Sequence, residues 1–326
     1  MGISARKAQR RSGAGARIVT LTLSPALDIA TQVARLCADA KLRCSTPVYA
    51  PGGGGINVAR AIHALGGSAL ALFPAGGSSG QHLVELLEAE GVASQVLAIA
   101  DWTRECFNVV EQASAQQYRF IMPGARLAAD EQVQLLAALQ ALPADYLVIS
   151  GSLPEGLADD LLPRLLRDAA RRGVRCILDS SGEALRQALD VGGIFMIKPN
   201  LNELNTLVGG EIGSPQQLAS AARQLVRDGR CQTLLVSLGA QGALLVREGL
   251  SERIAAPTVR RRSTVGAGDS LVAAVTLKLA AGADWLEAAR YGVAAGSAAI
   301  MAEGSGLCRR EDTEQLYAWL QAYAGD

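Results

Sequence analysis

From Ile18 onward, short apolar runs alternate with longer amphipathic ones. Ile18–Leu23, Ala69–Phe73, Tyr146–Ile149, Arg175–Leu178 and Thr233–Val236 read as strands, rich in residues that suit a sheet buried on both faces. Asn57–Leu65, Leu83–Glu90, Leu161–Arg171 and Leu218–Arg227 repeat apolar positions at helical spacing. The alternation predicts an α/β fold with a mainly parallel sheet covered by helices on both faces. Ligands of such sheets sit beyond the carboxyl ends of the strands. Two places break the pattern: Ile29–Val33 with Arg43–Tyr49, and Cys106–Gln112 with Gln117–Ile121. Each reads as a pair of antiparallel strands without a crossover helix. Together, over about 29–49 and 105–121, they predict a small β-sheet placed to act as a lid. Gln241–Val246 with Arg253–Ala256 predicts a hairpin extending the main sheet.

Composition narrows the function classes. The 326 residues are 49% hydrophobic, enough for a sizeable core, and their 35 glycines supply many tight turns. Thirty-one basic residues balance 31 acidic ones and aromatics are only 4%, which argues against a nucleic-acid partner. Six cysteines without a Cys-x-x-Cys pair, and only His63 and His82, argue against structural zinc and a disulfide framework. Most of these cysteines are expected to behave as small buried hydrophobes in a reducing cytoplasm. Residues 1–17 carry Arg6, Lys7, Arg10, Arg11 and Arg17 with no acidic residue, and read as a disordered basic tail ahead of one domain over 18–326. No apolar run is long enough to span a bilayer, so neither a membrane partner nor a location outside the cytoplasm is expected.

The chemistry concentrates in a few glycine-punctuated stretches. Thr264-Val265-Gly266-Ala267-Gly268-Asp269-Ser270 opens an Ala-rich helix. Free amides there can hold phosphate charge, and Asp269 can take a proton from an attacking hydroxyl. The alternative is an acidic residue serving as a cap near a helix start. Pro51-Gly52-Gly53-Gly54-Gly55-Ile56-Asn57 spends four glycines where a ligand can approach backbone, or makes a plain flexible turn. It fits neither the dinucleotide nor the Walker A spacing. Asp28 leaves the first strand after Pro25, as a ligand for sugar hydroxyls or as a turn residue. Lys41, Arg43 and Arg104 lie in or beside the expected lid, where cations can close on a phosphate or simply solubilise edge strands. In Lys198-Pro199-Asn200-Leu201-Asn202-Glu203, Asn200 and Glu203 stand three apart, as supports for hydrated Mg²⁺ or as a capping box. Ser237-Leu238-Gly239-Ala240-Gln241-Gly242 can approach a nucleotide or turn a hairpin. Gly76-Gly77-Ser78-Ser79-Gly80 mimics a hydrolase nucleophile elbow, yet no histidine follows His82 to complete a triad.

Taken in order, Gly52-Gly53-Gly54-Gly55-Ile56-Asn57-Val58-Ala59-Arg60, Lys198-Pro199-Asn200 with Glu203, and Val265-Gly266-Ala267-Gly268-Asp269 resemble the PfkB (ribokinase-like) family of carbohydrate kinases. The resemblance runs from about Ile18 to Tyr323. It implies a three-layer αβα sandwich with a β-lid, moving the γ-phosphate of ATP to the 1-hydroxyl of fructose 6-phosphate. Tagatose 6-phosphate and fructose 1-phosphate are the alternative acceptors, and a sugar-phosphate sensor without catalysis is the alternative of another class. By the same resemblance, Asp269 is the base and Gly266, Ala267 and Gly268 stabilise the transferring group. Asp28, Gly53, Gly54 and Asn57 hold the sugar, with Lys41, Arg104 and Ser152 near its phosphate. Lys198, Asn200, Ser237, Gly239 and Gly242 line the ATP site, and Glu203 orders Mg²⁺ through water. A homodimer through the lid is implied. Ala302-Glu303-Gly304-Ser305-Gly306 departs from the more usual Asn-x-Gly-Thr-Arg beside the monovalent-cation loops, where backbone carbonyls can still hold K⁺.

Overall fold

The computed structural model describes residues 16–263, 265–302 and 306–322. The expected basic tail, apart from its last two positions, therefore lies outside the described residues, as do Thr264 and residues 303–305.

The strands are β1 (Ile18–Leu21), β2 (Ala26–Val33), β3 (Val48–Gly52), β4 (Leu70–Ala75), β5 (Ser94–Ala98), β6 (Arg104–Glu111), β7 (Gln116–Phe120), β8 (Tyr146–Ser150), β9 (Arg175–Asp179), β10 (Met196–Ile197), β11 (Thr233–Ser237), β12 (Ala243–Arg247) and β13 (Leu250–Ile254). The helices are α1 (Gly54–Ala64), α2 (Gly77–Ala89), α3 (Ala129–Ala141), α4 (Leu161–Arg171), α5 (Gly182–Val191), α6 (Leu201–Val208), α7 (Pro215–Arg227), α8 (Ala267–Ala280), α9 (Trp285–Met301) and α10 (Arg310–Ala322).

Nine strands form one sheet in the order β13-β12-β11-β10-β9-β8-β1-β4-β5. Its pairings are parallel except for the β11–β12 and β12–β13 pairs, so the expected hairpin does extend the sheet. Period-two alternation sends successive strand residues to opposite faces. Tyr146 and Val148 join one apolar cluster with Ile56, Val275 and Ala295, while Leu147 and Ile149 join the other with Leu135, Leu165 and Leu218. Two cores, one on each face, make the three-layer αβα sandwich that the pattern predicted.

A second sheet of four strands runs β3-β2-β6-β7. The β2–β3 and β6–β7 pairs are antiparallel, as expected, but β2 and β6 join in parallel. The intervening β4, α2 and β5 supply the crossover that such a pairing needs.

Strand boundaries differ from the sequence expectation in two places: the hairpin's arms are Ala243–Arg247 and Leu250–Ile254, not Gln241–Val246 and Arg253–Ala256, and regular pairing with β2 begins at Val48 and not at Arg43. Cys44 makes only a single bridge to Val33. Ser45 explains the slip, since its hydroxyl accepts from the Gln32 amide at 3.0 Å, and Pro47 has no N–H for the ladder. The strand Ser94–Ala98 and the helices α3, α5, α9 and α10 were not singled out by pattern. Leu83–Glu90 proves to be the later part of α2.

Candidate active site

The polar groups at the carboxyl ends of β1, β8, β9, β10 and β11 meet the N-termini of α1 and α8. Gly266 takes the left-handed conformation (φ 74°) at the N-cap of α8 and offers no side-chain cap. The first intrahelical bond runs from the Ser270 amide to the Gly266 carbonyl, at 2.8 Å. The amides of the first turn, Ala267, Gly268 and Asp269, are left without helical partners and sit at the positive end of the dipole.

Asp269 lies within that turn. Its Oδ2 accepts from Asn57 Nδ2 at 3.0 Å, and its Oδ1 lies 3.5 Å from Ser150 Oγ. Burial, reinforced by the nearby Asp179 carboxylate, pushes the Asp269 carboxyl up to about 6, against the opposing pull of Asn57, Lys198 and Ser150. Lys198, 6% exposed, pairs with Asp179 at 3.0 Å. Burial works against its ammonium, but Asp179, Glu203 and Asp269 outweigh that and hold its pKa above the ordinary lysine value.

The polyglycine turn is shaped by close approach. Gly53 has φ 111°, and a Cβ on Gly54 would meet Ser150 Oγ at 2.3 Å. Any larger residue at 54 would wedge α1 away from β8. That packing brings Asn57, in the first turn of α1, to Asp269. On the facing small sheet, burial raises the Asp28 carboxyl above its ordinary value, opposed by Arg119, Arg104 and Arg60.

Most of the expected residues are brought together. Asp269, Asn57, Gly54 and Lys198 form one contiguous group, and Asp28, Gly53 and Arg104 lie beside the polyglycine turn. Arg104 is tethered, its terminal nitrogens donating to the Ser24 carbonyl (3.0 Å) and the Met122 carbonyl (2.9 Å), while its Nε is buried without a partner. Lys41 stands exposed between β2 and β3, and no hydrogen bond or ion pair among the described residues ties it to the cleft. Ser152 is exposed past the end of β8; it is the buried Ser150 that reaches Asp269.

Asn200 and Glu203 form the capping box: the Glu203 amide donates to Asn200 Oδ1 at 2.9 Å, and the Asn200 amide to Glu203 Oε2 at 2.8 Å. Ser237 lies beside them, its amide donating to the Pro199 carbonyl at 2.9 Å. Gly239 (φ 58°) has open space around it. Gly242 does not: a Cβ there would fall 1.9 Å from the Ile254 carbonyl, so the hairpin dictates this glycine. Ser79, beside the hydrolase-like serine, is buried and donates to the Thr103 carbonyl at 2.5 Å.

Sequence reasoning missed Asp179, Ser150 and Arg119. Asp179 had a readable signal, since a carboxylate ending the apolar run Cys176-Ile177-Leu178 is a strand-end residue of the kind that marks α/β sites. Ser150 and Arg119 had none, because their relevance depends on distant elements. No helix among the described residues is long and apolar enough to cross a membrane, and all six cysteines are free.

Comparison with known proteins places the chain in a family. The family model for the pfkB family carbohydrate kinases matches residues 22–312. The chain is 50% identical over 305 residues to the ATP-dependent 6-phosphofructokinase isozyme 2 of Escherichia coli K12, covering 93% of this chain and 99% of that one. A crystal structure of E. coli phosphofructokinase-2 in complex with potassium superposes with a TM-score of 0.92 at 50% identity, over 94% of this chain and 99% of the other. The same enzyme in complex with fructose-6-phosphate gives 0.90 at 49% identity, with the same coverage. A family model matched over most of the chain and a relative half identical to it show that this chain belongs to the pfkB family of carbohydrate kinases.

Proposed function

We propose that the chain is an ATP-dependent kinase that phosphorylates the 1-hydroxyl of fructose 6-phosphate to give fructose 1,6-bisphosphate. The observation that carries this reading is Asp269, a raised-pKa carboxyl held by Asn57 within the unpartnered amides of α8. The acceptor follows from similarity to an E. coli enzyme named for 6-phosphofructokinase activity and solved with fructose-6-phosphate.

Above pH about 6 the ionised Asp269 accepts the proton of the 1-hydroxyl as that oxygen attacks phosphorus. Charge on the transferring phosphoryl group is met by the amides of Ala267 and Gly268 and by the helix dipole. Asp28 and the backbone of Gly53 and Gly54 take the sugar, with Arg104 and Arg119 toward its phosphate. Ser152 and Lys41 belong to that same end only once the small sheet closes as a lid. Lys198, Asn200, Ser237 and Gly239 border the nucleotide.

The surroundings of Lys198 suit Mg²⁺. Asp179, Glu203 and Asp269 bring three carboxylates against one ammonium, and Glu203 spends only Oε2 on its capping box. Among the described residues no group of three or more His, Cys, Asp or Glu side chains is placed to hold a metal ion directly; Mg²⁺, which retains several waters, would need only one or two of these carboxylates. When bound, Mg²⁺ would neutralise phosphate charge on the nucleotide. A K⁺ requirement rests only on the similar E. coli structure in complex with potassium, and the loop concerned includes residues 303–305, outside those described.

Val48 (67% exposed), Ile121, Phe120 and Tyr49 leave the small sheet with an apolar surface that suits pairing of two chains through it. A tetrameric inhibited form is known for the E. coli enzyme. The deciding experiment is an ADP-release assay over fructose 6-phosphate, fructose 1-phosphate, tagatose 6-phosphate and the free sugars. The highest kcat/KM is expected for fructose 6-phosphate; preference for another acceptor, or no turnover at all, would overturn the assignment.

A further inference from the structure

At the amino end of the main sheet, opposite the strand ends that carry Lys198 and Ser237, lies a cavity of about 740 Å³ that nothing in the reading above uses. Gly193 and Gln232, which precede β10 and β11, form one side of it. Arg223 and Arg227 of α7 and Arg247 at the end of β12 supply three guanidiniums, and Glu248 is the one carboxylate among the lining residues, all of which are described. The wall is therefore cationic.

None of the three guanidiniums is neutralised within the chain. Among the described residues the Arg227 side chain has no hydrogen-bond or ion-pair partner, and Arg223 reaches only the uncharged Ser251 hydroxyl, at 3.4 Å. Arg247, half-buried, lies over the Trp285 ring with its Cζ 5.2 Å from the centroid, and its guanidinium makes no hydrogen bond to a described residue. Stacking of this kind steadies a guanidinium by its face and leaves the N–H groups at its edge for another acceptor. The carboxyl end of α7 does not compete for the arginines, because the Gln224, Leu225 and Val226 carbonyls already accept from the Asp228, Arg230 and Gly229 amides at 2.9, 3.1 and 3.1 Å. Their donors are free for a ligand.

We propose that this cavity binds a linear oligophosphate, free or as the phosphate chain of a nucleotide. Arg223 and Arg227 stand one helical turn apart, about 6 Å along the axis of α7, so they address two phosphoryl groups of one chain and not a single phosphate. Arg247 adds a third fork from β12. Each fork can give two hydrogen bonds to phosphate oxygens, and three positive charges against one carboxylate leave a net attraction for a ligand of several negative charges. The site goes beyond the kinase reading and does not depend on it, because no residue of the catalytic cleft takes part.

The test titrates inorganic tripolyphosphate calorimetrically into the full chain and into the Arg223→Ala/Arg227→Ala variant. Both side chains are exposed and alanine suits a helix, so the variant is expected to fold and to keep its turnover. Anything that enters the nucleotide site is common to the two proteins. The wild type is expected to bind one equivalent that the variant loses or holds at least tenfold more weakly, with Arg227→Lys retaining part of it, and tripolyphosphate should raise the Tm of the wild type more than that of the variant. The same titration with a non-hydrolysable ATP analogue separates the sources: loss of an equivalent of either ligand in the variant supports the site, and the ligand that loses it names the source. Equal binding of both ligands by wild type and folded variant would overturn the site. So would an equal loss of binding in Arg126→Ala/Arg164→Ala, which removes the same charge elsewhere on the surface, since the attraction would then be one of net charge alone. Orthophosphate bound at the arginines as tightly as tripolyphosphate would overturn the oligophosphate assignment.

Discussion

The hydrogen bond from Asn57 to Asp269 can be read directly in a pH profile. Asn57→Ala removes a 3.0 Å donor from a carboxylate that burial and Asp179 already push up to about 6. A hydrogen bond to a charged group contributes about 1.5 to 3 kcal/mol. With 1.36 kcal/mol for each tenfold change in protonation, its loss moves the midpoint of the base upward by about one to two pH units, to roughly 7–8. At pH 7 the ionised fraction falls from about nine-tenths to between about a half and a tenth. The assay is kcat/KM for fructose 6-phosphate from pH 5 to 9, which reports the free enzyme's essential base. The acid limb should move to higher pH whether or not the plateau also drops through weaker sugar binding. A limb that stays near 6 in a folded Asn57→Ala protein would mean that Asp269 is not the titrating base, or that Asn57 does not hold it.

Asp269→Asn should abolish turnover yet stabilise the fold. The native carboxyl titrates above its ordinary 3.8, so stability declines as pH rises from about 4 to about 6, and the neutral amide recovers up to about 3 kcal/mol at pH 7.5; urea unfolding at pH 4 and 7.5 measures the difference. Lys198→Met strands Asp179 in a largely buried place, where a lost partner costs about 3–5 kcal/mol, so a denaturation midpoint close to wild type would contradict the pair's role. Arg104→Ala should chiefly raise KM for the sugar phosphate with a smaller effect on kcat, because the side chain ties the Ser24 and Met122 backbone beside Asp28; unchanged KM would remove it from the sugar-binding side.

Local signals carried much of the architecture. Period-two and helical repeats are properties of neighbouring residues, so the alternation of buried strands and amphipathic helices could be read from β1 to β11 without knowing the fold. Glycine runs before Asn57 and Asp269 were legible for the same reason, because close approach and left-handed turns leave few other residue types. The helices α8 and α9 are harder: their Ala-rich surfaces are apolar nearly all round, since α8 is packed between α1 and α9, and no single face stands out.

What the sequence by itself determined is therefore the strand–helix alternation of the main sheet, the identity of the candidate base and the glycines that frame it. Only the tertiary structure decided which charges share a dielectric. Asp179 and Lys198 are 19 residues apart in the chain and become a buried pair, and Asn57 and Asp269, separated by 212, become hydrogen-bonded. The raised carboxyl at 269 depends on both, because burial and Coulomb forces act through space across strand ends that pairing alone brings side by side. For the same reason Ser150, not Ser152, meets Asp269: β8 ends at Ser150, and Ser152, two residues on, has left the strand and lies exposed.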